Sequence, residues 1–520
     1  MKKNKNFYLS FILPILILLI TCLLVIGSSP LFQTNSWVDS NAMLTMGRGV
    51  LHGLTPYKDL MDQRGPLLYL IFGMGAAIKE TNFFGVFLLQ VINVLIVYWV
   101  SFKIVKDMKT TKIKEQWLAL LGPLSLLATS TFQLSGSPEE FAFTSVLYLL
   151  FVVNHYRQDV IDVPLYVFYL LGLNLSLIFW NKYSMVGVFV AFFIWTFILF
   201  IYKKKFFPLV KVILASVAGF LTLSILISIW FVWKGALGDL FQIYFVQNLT
   251  SYGSTNQSIL MKVWSLLFII GKEISNHYIV VLIIFSGWVR MIFQAKKVSL
   301  EVILFLFSLL FVALQHTEAV YYNLIWMPFF GVALIRLASA AIENVNQTNT
   351  HRSKYLPIYM MLSISLVILP FINNTTLGQL IVRGERVSYA NKTLDAQARF
   401  TTIMLKKNKK PTLLMINSLD QGFYLSTQTL PTTKFFHRLN MTYEQLPVMY
   451  ESFINDMDTK KVDFVIVKLN TQPLNDEVGL KKQIDASIDA HLRMALENNY
   501  QVKATAKDAG NESFVLLYKK

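Results

Sequence analysis

The feature that most constrains this chain is a succession of apolar runs, most of them long enough to cross a bilayer. A hydrocarbon core of ~30 Å takes about 20 residues of helix, and within it every backbone N–H and C=O must be satisfied internally. Such runs start with Leu9–Gly27 and recur near residues 82–102, 117–134, 141–154, 164–180, 184–202, 209–233, 277–294, 299–315, 319–338 and 355–371. The count predicts an α-helical polytopic membrane protein with about eleven transmembrane helices in the lipid bilayer. Shorter runs near 66–78 and 260–271 are expected to lie at the interface or re-enter it. The first run follows Lys2, Lys3 and Lys5, as a signal peptide would. Its apolar stretch is longer than a usual signal core, so it is read as an uncleaved first span.

Charge then sets the topology. The chain holds 47 Lys+Arg against 30 Asp+Glu, a net +17 that on a soluble protein would suggest nucleic acid. Here the basic residues gather in every second loop: Lys103, Lys106, Lys109, Lys112 and Lys114; Arg157; Lys203, Lys204 and Lys205; Lys296 and Lys297; Arg336, Arg352 and Lys354. Basic loops stay on the cytoplasmic side, which puts the N-terminus inside and, after an odd number of spans, the C-terminal part outside. The excess charge is an orientation signal, and no nucleic-acid partner follows from it. Charged residues make up about 11% of residues 1–371 and about 23% of residues 372–520. Two domains are expected: a transmembrane catalytic domain over 1–371, with its first outer loop at 29–65, and an extracytoplasmic α/β domain over 372–520. In the second, Thr412–Ile416, Phe464–Val467 and Phe514–Tyr518 read as strands, and Tyr443–Met457 and Leu480–Asn498 as amphipathic helices. The single cysteine, Cys22, excludes a disulfide framework.

Chemistry is sought where a membrane chain keeps ionisable groups despite their cost. The first outer loop has Trp37-Val38-Asp39, then Gly47-Arg48-Gly49, then Gly53-Leu54-Thr55-Pro56-Tyr57. It continues Lys58-Asp59-Leu60-Met61-Asp62-Gln63-Arg64-Gly65-Pro66-Leu67. That order resembles the first outer loop of GT-C glycosyltransferases, and within them glycosyltransferase family 39, which contains protein mannosyltransferases and lipid A aminoarabinose transferases. Members have an acid after the first span and a basic residue before Pro-Leu, here Asp39 and Arg64. The family's acid pair is Asp39-Ser40 in this chain and its usual lysine is Arg64, so Asp39 carries the catalytic role alone.

The resemblance implies a polyprenyl-phosphate-linked sugar donor, and no Gly-rich nucleotide loop of the Walker type is present. Asp39 is expected to be the base that takes the acceptor's proton, with inversion at the anomeric carbon. Arg64, Lys182 and Arg48 are the candidate cations for the donor phosphate. Asp59, Asp62, Glu139, Glu140, His316, Glu318 and Tyr322 are the candidates for orienting substrate. No cofactor is implied with certainty, and a divalent metal on Asp39, Asp59 and Asp62 stays open. The acceptor is a cell-envelope polymer, glycolipid or protein. Two other readings use the same spans: a transporter or flippase of a lipid-linked glycan, and a membrane scaffold whose tail binds cell-wall polymer. Zinc-hydrolase and Gly-x-Ser-x-Gly nucleophile motifs are absent.

Overall fold

The computed structural model describes residues 2–31, 37–108, 115–133, 135–251, 258–315, 319–346, 396–474, 476–508 and 512–520. His316, Glu318 and the apolar run 355–371 lie outside the described residues. The chain is mostly helical. Several apolar runs become helices with nearly the expected bounds: Lys2–Val25, Pro66–Ile78, Phe84–Asp107, Leu165–Lys182, Gly187–Tyr202, Phe206–Trp233, Tyr278–Phe293 and Ser299–Ala313. By length and apolar character, two helices among the described residues suffice to cross a membrane alone, Phe84–Asp107 and Phe206–Trp233. Two further pairs do so jointly across sharp bends, 118° between Leu165–Met185 and Gly187–Tyr202 and 88° at His277.

Two expected spans are not continuous helices. The run 117–134 is divided into Glu115–Leu118, Leu121–Leu127 and a 3-10 turn at Ser130–Gln133. The run 319–338 is divided into a 3-10 segment, Val320–Ile325, and the helix Met327–Asn346. In both, a proline sits in the first turn of the later helix, Pro123 and Pro328. Proline lacks an N–H and clashes with the carbonyl four residues before it, which favours a helix start just ahead of it, although Lys2–Val25 accommodates Pro14 in its interior.

Contacts divide the chain into two compact units, each assembled from separated segments. The first comprises the described residues within Met1–Ile26, Gln90–Ile229 and Thr255–Gly378. Its interior holds a buried ion pair, Arg336 to Glu301 at 2.6 Å, and the Trp288 indole also donates to Glu301 at 2.9 Å. An ion pair this enclosed is tolerable because the carboxylate is satisfied by several donors at once.

The second unit comprises the described residues within Gly27–Leu89, Trp230–Ser254 and Gln379–Lys520. It therefore joins the first outer loop to the C-terminal α/β region. That region carries a four-stranded sheet in the order β1-β2-β4-β3, where β1 is Leu413–Met415, β2 Phe464–Leu469, β3 Tyr500–Lys507 and β4 Ser513–Lys519. β1 and β2 are parallel, and β4 is antiparallel to both β2 and β3. Phe464, Val465, Ile466 and Val467 are all buried, so both faces of β2 are covered. Three of these strands fall where expected. β3 was not anticipated, although its Tyr-Gln-Val-Lys-Ala-Thr-Ala-Lys alternates in the manner of an edge strand. The expected helix 480–498 breaks at Ile488, whose backbone is extended, and resumes after Asp489 caps the next turn.

Within this unit, the helices Val38–Leu51 and Pro66–Ile78 touch at Gly47 and Gly73. A Cβ on Gly47 would stand 2.5 Å from the Phe72 carbonyl carbon and 2.6 Å from the Gly73 nitrogen. Only a missing side chain permits backbones this close, as in small-residue helix contacts in membranes. The Gly47→Val substitution is therefore expected to force the helices apart and to cost about 1–3 kcal/mol or more. A lowered thermal midpoint of the detergent-purified protein is the measurement, and an unchanged midpoint would contradict the packing argument.

Candidate active site

Asp39 and Arg64 are placed by the starts of these same two helices. Trp37 is the extended residue before Val38–Leu51, which puts Asp39 in the first turn, where the helix dipole favours a carboxylate. Arg64 precedes Gly65, the extended cap of Pro66–Ile78, and Pro66 occupies the first helical position. The helices meet both at these starts and at the glycine contact, so they run side by side in one direction. Arg64 Nη2 consequently reaches Asp39 Oδ2 at 2.8 Å. Arg64 Nη1 donates to both oxygens of Asp62, at 3.0 and 2.7 Å.

The guanidinium thus bridges two carboxylates that differ in environment. The Asp62 side chain is 0% exposed, against 13% for Asp39 and 16% for Arg64. Asp62 Oδ1 also accepts the backbone N–H groups of Gln63 at 2.6 Å and Arg64 at 3.2 Å. Asp62 is enclosed by what it holds, whereas Asp39 is the carboxylate with an outlet.

The backbone beneath Arg64 is fixed independently of its side chain. The hydroxyls of Tyr57 and Tyr69 both donate to the Arg64 carbonyl, at 2.5 and 3.0 Å. Tyr57 has φ 70°, a conformation rare outside glycine. The turn that imposes it is closed by Thr55 N–H on Asp59 Oδ2 at 2.7 Å and by Tyr57 N–H on the Leu60 carbonyl at 2.7 Å. It turns the Tyr57 ring inward, stacked on Phe231 and Tyr244. Asn248 donates to the Gln63 carbonyl at 2.9 Å, and the Met61 N–H donates to the Lys434 carbonyl at 2.8 Å. Residues 61–64 are therefore clamped by the 230–254 segment and by the C-terminal region.

The C-terminal region also contributes His437. It bridges to Met415 of β1, and the neighbouring Phe436 carbonyl accepts the Met415 N–H at 3.3 Å. His437 is 1% exposed, and neither ring nitrogen has a hydrogen-bond partner among the described residues. Burial pushes its imidazole down to about 4; the Asp62 carboxylate acts upward on it and the Arg64 guanidinium downward. His437 is a neutral neighbour of the Arg64–Asp62 pair.

The other expected site residues are placed as follows. Arg48 is 1% exposed and donates to the carbonyls of Tyr424 at 3.1 Å and Thr429 at 3.2 Å, while Nε lies 3.6 Å from Glu80. These bonds tie the helix Val38–Leu51 to the C-terminal region, as does Thr45 donating to Asp420 at 2.6 Å. Asp59 closes the Tyr57 turn as described. In the first unit, Lys182 pairs with Glu139 at 2.7 Å and lies over the Tyr322 ring at 3.6 Å. Both oxygens of Glu140 accept the Gln90 amide at 3.1 Å. Asp39, Asp59 and Asp62 do not converge, and among the described residues no three His, Cys, Asp or Glu side chains gather as a metal site would require.

Three contributors were not anticipated. Tyr57 and Tyr69 lie inside the motif, but nothing in their spacing shows that both hydroxyls meet one carbonyl. His437 has no local signal at all.

The arrangement of apolar helices with a small C-terminal sheet is similar in fold to solved structures of ArnT. Two solved structures with this fold are both of ArnT from Cupriavidus metallidurans. One, bound to undecaprenyl phosphate, is similar at TM-score 0.54 and 11% identity, covering 98% of each chain. The other, in the apo state, is similar at TM-score 0.53 and 11% identity, covering 99% of this chain and 98% of that one. No family description matches the chain, and no curated protein matches it in sequence.

Two tests follow from these contacts. Arg48→Met removes the Arg48 donor from the Thr429 carbonyl and one of several donors from the Tyr424 carbonyl, and is expected to cost about 1–3 kcal/mol, read as a lower thermal midpoint. His437 gives a pH dependence. Its proton affinity falls on folding, from an ordinary value of 6.5 to about 4, so the unfolded chain binds the proton first. Stability is then fully present above pH 6.5 and is lost as pH falls toward 4, by ~3 kcal/mol over the window at ~1.4 kcal/mol per unit. In His437→Leu the midpoint should depend less on pH across that window; an unchanged acid slope would assign it to other groups.

Proposed function

We propose that the chain is a membrane glycosyltransferase that moves a sugar from a polyprenyl-phosphate donor to an acceptor hydroxyl at the outer membrane face. The carrying observation is the Asp39–Arg64 pair at the starts of two packed helices, in a chain with the fold of ArnT. One ArnT structure holds undecaprenyl phosphate, which supports the donor class. The alternating basic loops support an inner N-terminus and an outer C-terminal region.

In this reading Asp39 is the base. The acceptor oxygen forms a bond to the anomeric carbon while its proton passes to the Asp39 carboxylate. The bond from that carbon to the phosphate oxygen breaks, and its electron pair leaves with the lipid phosphate. Attack opposite the leaving group inverts the carbon. Arg64 meets the charge that develops on the phosphate, where a positioned cation donates a charge-assisted hydrogen bond. Tyr57, Tyr69 and Asn248 hold its backbone, so the cation is positioned before the reaction starts. From the sequence alone, Lys182 is proposed as a further phosphate cation; within its own unit it pairs with Glu139 and lies over Tyr322. Glu139 and Glu140 keep their assignment as substrate-orienting groups on the same ground.

The test is transfer from a radiolabelled polyprenyl-phosphate sugar by the purified protein. Asp39→Asn should lower the rate by a factor of ~10²–10⁴ while leaving membrane insertion unchanged. Retained transfer would remove Asp39 from the role of base. A wild-type protein with no transferase activity, but with movement or binding of the glycan, would favour the flippase or scaffold readings.

A further inference from the structure

The pair that carries the proposed function presents a chemical conflict. Arg64 Nη2 occupies Asp39 Oδ2 at 2.8 Å, so the carboxylate assigned as base has one oxygen already engaged. The same guanidinium is the group assigned to the donor phosphate. One cation cannot give the same N–H to both at once. Its second attachment settles which contact is exchangeable. Nη1 is held by both oxygens of a fully buried Asp62, which is itself fixed by two backbone N–H groups. Asp39 contributes a single contact to Arg64 and is the more exposed of the two acids. A buried carboxylate stripped of its cation is costly, whereas a partly exposed one can turn to solvent or to a substrate hydroxyl.

We infer that Asp62 is a positioning residue that anchors Arg64 through Nη1, so that Nη2 passes from Asp39 to the lipid phosphate when the donor binds. Donor binding thereby frees Asp39 Oδ2 to receive the acceptor's proton, and the base is complete only after the donor is seated. Without donor, the pair keeps Asp39 capped, which disfavours acceptor engagement in the empty site. The inference rests on the assignment of Asp39 as base and Arg64 as phosphate ligand, and it adds the order of events and the role of Asp62. It differs from the sequence expectation that Asp62 orients substrate directly.

The experiment is the affinity of the full-length protein in detergent for undecaprenyl phosphate, measured in a double-mutant cycle. Arg64→Ala should weaken binding. Asp39→Asn removes the competitor for Nη2 and should tighten binding about 3- to 10-fold, although transfer is lost. In the Arg64→Ala background, Asp39→Asn should change binding little. Asp62→Asn should weaken binding, with the Asp62→Glu variant recovering part of the loss and circular dichroism confirming that both fold.

The failures separate the layers. Binding unaffected by Arg64→Ala overturns the phosphate-ligand assignment and the exchange with it. Binding weakened by Arg64→Ala but not tightened by Asp39→Asn overturns the exchange and leaves the proposed function standing. Tightening that persists without Arg64 is charge repulsion between Asp39 and phosphate, and also overturns the exchange. Unchanged binding in a folded Asp62→Asn variant overturns the positioning role.

Discussion

The described site depends on one interaction, the grip of two carboxylates of unequal burial on the Arg64 guanidinium. A cation in a poorly hydrated pocket needs compensation, and Asp62 supplies it from within while Asp39 supplies it from the open side. The surroundings serve to keep that geometry. Tyr57 and Tyr69 hold the Arg64 carbonyl, Asn248 holds the preceding one, and Lys434 anchors Met61. The close approach at Gly47 and Gly73 keeps the two helix starts side by side. Each element acts on a different atom, so the side chain of Arg64 can change partner without its backbone moving.

The C-terminal region is part of this architecture rather than an appendage. Arg48 and Thr45 bind it to the helix that carries Asp39, and His437 brings an uncharged imidazole up to the Arg64–Asp62 pair. Burial keeps the His437 ring neutral. The C-terminal region thus shares one compact unit with the first outer loop.

Much of this was legible beforehand, and the misses have physical causes. Apolar runs mark helices because bilayer thickness and backbone hydrogen bonding leave few options. They do not mark breaks such as those ahead of Leu121 and Met327, where Pro123 and Pro328 favour a new helix start. β3 alternates in sequence but is lysine-bearing, which resembles a solvated loop until β4 pairs with it. Arg48 reads as a loop cation suited to phosphate, yet it is enclosed, because carbonyls from residues 424 and 429 arrive from a distant part of the chain.

The sequence by itself determined the mostly helical class, with apolar runs as its helices, and the nomination of Asp39 and Arg64. Those follow from local composition and from residue order in one loop. Only the tertiary structure decided that Asp39 and Arg64 face each other, that Asp62 is buried beneath them, and that His437 joins them. Such relations depend on which segments pack together, and side chains far apart in the chain leave no local pattern from which their meeting can be read.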